Sequence, residues 1–225
     1  ATIDMTKGIT GTIPVTNGGT GLTSGTTDQF LKFTGTTTLA SAADNAGDLV
    51  HLNTTTSTSA TSTVSINDVF TSTYKTYKLF GTVLFGTDTA NLQMQYTKAN
   101  GGTVGTADSY NWLISADQLN AGSAEGGSQG EKYTYAQLNY NMDADTTYAP
   151  FVFEMNFYDP LQSFASYQFF NGRITFYEAN GKFCTGTIGG QYRENFNATG
   201  LKFTCSSGDI TRYYFNLYGI KNSGA

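Results

Sequence analysis

Leu92, Met94 and Tyr96 alternate with Asn91, Gln93, Gln95 and Thr97. In "FVFEMNF", Phe151, Phe153, Met155 and Phe157 share one phase. In "RYYFNLYG", Tyr213, Phe215 and Leu217 share one phase, with Arg212, Tyr214, Asn216 and Tyr218 in the other. A period of two places one set on the core side of an antiparallel strand and the other toward water. Weaker runs of the same kind occur at "TYKLFGTVLF", "YNWLIS", "EKYTYAQLNYNM", "YQFFNGRITFY" and "GLKFTC". Clusters of Gly, Asn, Asp and Ser separate them: "KANGGTVGTAD", "NAGSAEGGSQG", "MDADTTYAP", "EANGK" and "SSGD". No helical stripe runs beyond a turn or two, and "NDVFTSTY" reads as one such turn. This succession of short strands predicts an all-β antiparallel sandwich of the jelly-roll kind. Its core phase comprises Phe70, Leu79, Leu92, Met94, Phe151, Phe153, Phe157, Ile174, Phe176, Phe215 and Leu217.

The alternation does not extend to the beginning of the chain. The first 66 residues hold 19 Thr but only two aromatics, Phe30 and Phe33, so they lack the bulk to build a core. Ordering a backbone costs roughly 1–2 kcal/mol per residue, and such a segment cannot offset that alone. Disordered text is rich in Glu, Lys, Pro and Ser, whereas this segment is rich in β-branched Thr, Ile and Val. "GTIPVTNGGTG" and "QFLKFTGTTTLAS" read as short strands with tight turns, suited to pairing with other copies of the chain. The predicted division is a fibrous N-terminal segment, residues 1–47, and a sandwich head, residues 48–225.

Charge narrows the function classes. The chain carries 12 Lys+Arg against 17 Asp+Glu, a net charge of −5. No basic stripe marks a nucleic-acid surface. No apolar run approaches the roughly 18 residues of a membrane span. "ATIDMTKG" has no apolar stretch of the secretory kind. Two cysteines, Cys184 and Cys205, are too few for a disulfide framework or a zinc site. They read either as two reduced thiols or as one bond between neighbouring strands. No cofactor or metal is expected.

Within the Thr-rich segment, "GITGTIPVTNGGTGLTS" resembles the G-T-[IL]-P-V-x-N-G-G-T-G segment that recurs in bacteriophage tail fibres. Pro14, Asn17, Gly18, Gly19 and Gly21 all fit it. The match is close over Gly11–Gly21 and reaches loosely to about Ala43. "DQFLKFTGTTTLAS" is similar to the strand–turn–strand that accompanies it. The residues make physical sense there. Asn17-Gly18-Gly19 suits a turn with consecutive positive φ, and Pro14, which donates no backbone hydrogen bond, belongs at a strand edge or start. A flexible Gly/Thr linker is the other reading. A second resemblance lies in the head. Phe70, Ser72, Tyr74, Tyr77 and Leu79 are similar to the F-x-S-x-Y-x-x-Y-x-[IL] opening of sandwich domains in fibres of aquatic phages, and the ending at Tyr218-Gly219-Ile220-Lys221 looks like their closing strand pair. Together these imply a homotrimeric virion protein made in the host cytoplasm. Its intertwined N-terminal shaft would dock on a tail or baseplate protein, and its head would meet the host surface. A capsid fibre or decoration protein is the alternative, and a glycan depolymerase the second.

Little in the sequence points to catalysis. The single histidine, His51, lies at the junction of the two texts, and no catalytic residue is expected. Glycoside hydrolysis needs paired carboxylates. The head offers Asp143, Asp145, Glu154, Asp159, Glu178 and Glu194, with Asp143 and Asp145 on a turn and Glu154 facing solvent or a neighbouring subunit. Sugar binding needs aromatic faces beside amides and hydroxyls. The expected glycan site is Tyr110 and Trp112 on one strand face, with Tyr192, Arg193 and Asn195 exposed in a loop; as the single tryptophan on a strand, Trp112 reads equally as a core residue. The loops 99–109, 116–131, 143–149 and 190–199 are the candidates to carry it.

Overall fold

The computed structural model describes residues 30–33, 35, 38–42, 49–99, 109–119, 125–144, 150–161 and 167–221. The chain divides into two units, Ala1–Asp48 and Leu49–Ala225. The motif residues Pro14, Asn17, Gly18, Gly19 and Gly21 lie outside the described residues.

In the first unit, β1 (Phe30–Phe33) and β2 (Leu39–Ala42) form an antiparallel hairpin. All four residues of β1 are exposed, on both of its faces. Phe30, Leu31 and Phe33 remain 64%, 55% and 64% accessible.

The second unit is an all-β sandwich of two antiparallel sheets. Its first strands are β3 (Leu49–Ser57), β4 (Thr63–Ile66), β5 (Thr76–Phe85) and β6 (Leu92–Thr97). A hairpin follows, β7 (Tyr110–Gln118) and β8 (Glu125–Tyr133), and then the two-residue β9 (Ala136–Gln137). The remainder is β10 (Phe151–Tyr158), β11 (Gln168–Tyr177), β12 (Phe183–Tyr192), β13 (Gly200–Cys205) and β14 (Ile210–Ile220). The small sheet runs β4-β13-β6-β9 and the large one β3-β14-β5-β10-β11-β12-β7-β8. Without the two hairpins β7–β8 and β11–β12, the remaining strands alternate between sheets in jelly-roll order: first, last, third and sixth in one, second, seventh, fourth and fifth in the other. The hairpins extend the large sheet beyond β10, because β11 pairs β10 and β7 pairs β12.

The core lies between the sheets and is mostly aromatic. Phe203 of the small sheet meets Phe215 at 4.9 Å and Phe153 at 6.4 Å, ring centre to ring centre. Tyr96 of the small sheet meets Phe157 at 6.0 Å and Tyr192 at 5.9 Å. All the residues expected in the core, from Phe70 to Leu217, are buried. Three of the large rings stand on glycines paired directly across the ladder: Phe153 on Gly81, Phe170 on Gly190 and Trp112 on Gly130. A side chain on those glycines would occupy the ring's place.

Three expectations are corrected. "NDVFTSTY" is not helical; Ser72 and Thr73 form a turn, and no α-helix occurs among the described residues. That turn is tied by Tyr77, whose hydroxyl donates to Thr71 O and accepts from Thr71 N, both at 2.7 Å. Tyr74 lies against Gly219 of the closing strand, so the opening and ending motifs of the head meet there. "EKYTYAQLNYNM" is not one strand, since the ladder breaks at Thr134 and Tyr135 between β8 and β9. Residues 125–131, read as loop, are most of β8, held by its pairing to β7 despite three glycines.

Candidate functional site

The five residues expected to bind a glycan divide into three buried and two exposed. Tyr110 and Tyr192 are fully buried and face each other in register on β7 and β12, their rings 4.7 Å apart. Tyr110 Oη accepts from Tyr96 N at 2.7 Å. Tyr192 Oη donates to Glu194 Oε2 at 3.0 Å, and Ser109 Oγ donates to Glu194 Oε1. Burial raises the pKa of both phenols, and the Glu194 carboxylate raises that of Tyr192 further. Tyr192 is therefore a structural strut, not an exposed loop residue. Strand β12 continues through it, paired with β11 on one side and β7 on the other, and the strand's phase turns it inward. Trp112 is 5% exposed and shares that inward phase. Tyr110 and Tyr192 offer no ring face to a ligand, whereas Trp112, almost buried, borders one lobe of a trough on the sheet's outer face. Arg193 and Asn195 are exposed beyond the end of β12, where Arg193 N donates to Ser109 O at 2.8 Å. Residues 100–108, 120–124 and 145–149 of the candidate loops, Asp145 among them, lie outside the described residues.

A different site emerges on the outer face of the extended sheet. A trough crosses β10, β11, β12 and β7 in two connected lobes of about 530 and 450 Å³. Both lobes are lined by Leu113, Asn171 and Gly189. The ladder arranges its side chains in rows, because neighbouring strands lie about 4.8 Å apart. One row runs Tyr158, Phe169, Gln191, Asn111. The next runs Asn156, Asn171, Gly189, Leu113, and the third Glu154, Arg173, Thr187, Ser115. Phe169 is 48% exposed and Tyr158 39%, high values for aromatics in the middle of a sheet. Asn171 Oδ1 accepts from Asn156 Nδ2 at 3.0 Å and from Tyr158 Oη at 3.1 Å, which fixes its amide. Gly189 forms the floor. A Cβ there would meet nothing closer than Phe170 O at 3.9 Å, so the missing side chain is what leaves the trough open.

The carboxylates do not gather in this trough. Glu154 is the one acid lining it among the described residues, and it pairs with Lys78 Nζ at 3.3 Å. Asp159 pairs with Lys75 at 3.8 Å. Glu178 is buried and accepts from Gln118 Nε2 and Asn180 Nδ2, each at 2.7 Å. His51 is exposed on the edge strand β3, where its Nε2 lies 2.8 Å from Thr54 Oγ1. No cluster of three or more His, Cys, Asp or Glu is placed to hold a metal among the described residues.

Cys184 and Cys205 are both free thiols. Cys184 is fully buried, and burial, with the Glu178 carboxylate beside it, pushes its thiol from 9.0 up to about 11. The native state holds this proton where the unfolded chain releases it. Its stabilising contribution is thus full below about pH 9 and is lost as pH rises toward 11. At pH 8, iodoacetamide should label Cys205 before Cys184, and Cys184 only after unfolding in urea. Native labelling of Cys184 at the rate of a free cysteine, read by mass spectrometry, would contradict this placement.

Sequence reading missed Tyr158, Phe169, Asn171 and Arg173. A signal was present in "YQFFNG": Phe169 and Phe170 are adjacent, and a strand sends only one of two neighbours into the core. No family model, curated protein or solved structure matches the chain.

Proposed function

We propose that the chain is the subunit of a trimeric bacteriophage tail fibre. Its N-terminal segment attaches to a tail or baseplate protein, and its jelly-roll head binds a glycan of the host surface. The fibre reading rests on the likeness of Gly11–Gly21 to tail-fibre shafts. The glycan reading rests on one observation, the outer trough with Tyr158 and Phe169 beside the amides of Asn111, Asn171 and Gln191. Aromatic faces suit the C–H-rich faces of sugars, and amides suit their hydroxyls. With one carboxylate among its described lining residues, the trough favours binding over hydrolysis, which uses two.

Individual sites can be weak. Three sites on a trimer, and several trimers on a virion, multiply avidity without new contacts. A millimolar site, about −4 kcal/mol, is enough.

A glycan array probed with the full chain tests this reading. The parent protein should bind a subset of polysaccharides. Gly189→Val should abolish binding by filling the floor, and Phe169→Ala should weaken it roughly tenfold, about 1.4 kcal/mol. Both variants should melt like the parent, because Gly189 has open space above it and Phe169 lies outside the core. Absence of any glycan binding, or full binding by both variants, would overturn the assignment.

A further inference from the structure

We propose that the ligand of the trough is an acidic oligosaccharide, with a sugar carboxylate held by Arg173. This inference rests on reading the trough as a glycan site. Arg173 is exposed and lines the trough. The carboxylate opposite it in the ladder is Glu154, which is already paired with Lys78 on the far side of β10. Lys78 Nζ is held there a second time, 5.3 Å from the centre of the Phe80 ring. Arg173 is part of neither the Lys75–Asp159 nor the Lys78–Glu154 ion pair. Its other neighbours in the ladder are neutral: Asn171 and Thr175 along β11, and Thr187 across on β12. Asn171 Oδ1 is taken up by Asn156 and Tyr158, and the Thr175 and Thr185 hydroxyls lie 3.2 Å apart. A protein of net charge −5 thus keeps in its groove a guanidinium whose one carboxylate neighbour in the ladder, Glu154, is engaged by Lys78.

Guanidinium geometry selects the anion. Its planar fork matches a carboxylate with two parallel N–H···O bonds. The Ser115 and Thr187 hydroxyls in the same row supply bonds for the sugar around it. Phe169 and Arg173 lie on one face of β11 four residues apart, about 13 Å at the strand rise. A single pyranose cannot touch both, so the ligand spans several sugar units along β11. It presents an apolar sugar face to Phe169 and Tyr158 and its acid to Arg173.

The test uses the full chain and polymers of galacturonate, glucuronate and mannuronate. Each is compared with its carboxyl-reduced neutral form and with dextran sulfate, by calorimetry or biolayer interferometry. At least one uronate polymer should bind roughly 10- to 100-fold tighter than its reduced form, the range of one hydrogen-bonded charge. Arg173→Gln should erase that difference, weakening the uronate polymer far more than its reduced form. Arg173→Lys should restore part of it. Three outcomes would overturn the proposal: equal binding of acidic and reduced polymers, equal loss on both in Arg173→Gln, or a preference for dextran sulfate over every uronate. If neutral glycans bind in a Gly189-dependent manner and the acids gain nothing, the acidic ligand is refuted and the glycan site survives. If no polymer binds at all, both readings fall.

Discussion

Replacing Phe153 by Ala lowers stability by about 3–5 kcal/mol, the cost of emptying a packed phenylalanine site. Phe153 lies where the two sheets close on each other. Its ring is 5.1 Å from that of Phe151, 5.8 Å from Phe215 and 6.4 Å from Phe203 of the opposite sheet. A loss of that size corresponds to a fall in melting temperature of roughly 6–20 °C for a domain of this length. The ring also rests on Gly81, its direct partner on β5, where a Cβ would sit 2.1 Å from Cζ. Gly81→Ala alone should therefore cost about 1–3 kcal/mol by forcing the ring aside. In the double variant the new methyl enters space the ring has vacated. The two effects should then fall short of their sum by about 0.5–3 kcal/mol. Urea titration followed by fluorescence of Trp112, the single tryptophan, reads all four proteins. Additive costs would show that Gly81 is not the seat of the Phe153 ring.

The same ring-on-glycine pairs explain which parts of the fold were legible in the sequence. Strands β6, β10 and β14 have apolar residues at every second position, and their phase alone identifies their buried faces. Strand β8 has Gly126 and Gly130 where an alternating strand would show bulk, because the Gln118 and Tyr140 side chains fill the space over Gly126 and the Trp112 ring of β7 that over Gly130. In β12 the glycines at 186, 189 and 190 interrupt the pattern, which gives the stretch up to Tyr192 the look of a loop. The trough was hidden for a different reason. Tyr158, Phe169, Gln191 and Asn111 stand in one row only because β11 joins β10 and β7 joins β12. The β7–β8 hairpin arises between β6 and β9, yet it pairs with a strand some 70 residues further along the chain. Local periodicity identifies the wet face of each strand but not the order of strands in the sheet. Adjacent aromatics such as Phe169 and Phe170 were the one local sign that this wet face holds more than solvent.

The largest change in a measurable property is expected from three residues of the first unit. Phe30, Leu31 and Phe33 lie on both faces of a hairpin that shows two strands among the described residues. A lone hairpin is at best marginally stable in water, and exposing these side chains at 55–64% adds to the cost of leaving it alone. Burying each against other copies would contribute about 1.5–3 kcal/mol, on the order of 5–9 kcal/mol per chain. That is comparable to the 4–15 kcal/mol that association costs in lost freedom. Light scattering at micromolar concentration should therefore give about three times the 24.2 kDa chain mass. Changing Phe30, Leu31 and Phe33 together to Ser should bring the mass down to one chain. The jelly roll, whose core excludes these residues, should keep its tryptophan spectrum and its urea midpoint. A monomeric parent would sink the trimer. A triple variant that stays trimeric would place the association elsewhere, with β3, the end strand of the large sheet among the described residues, the next to test.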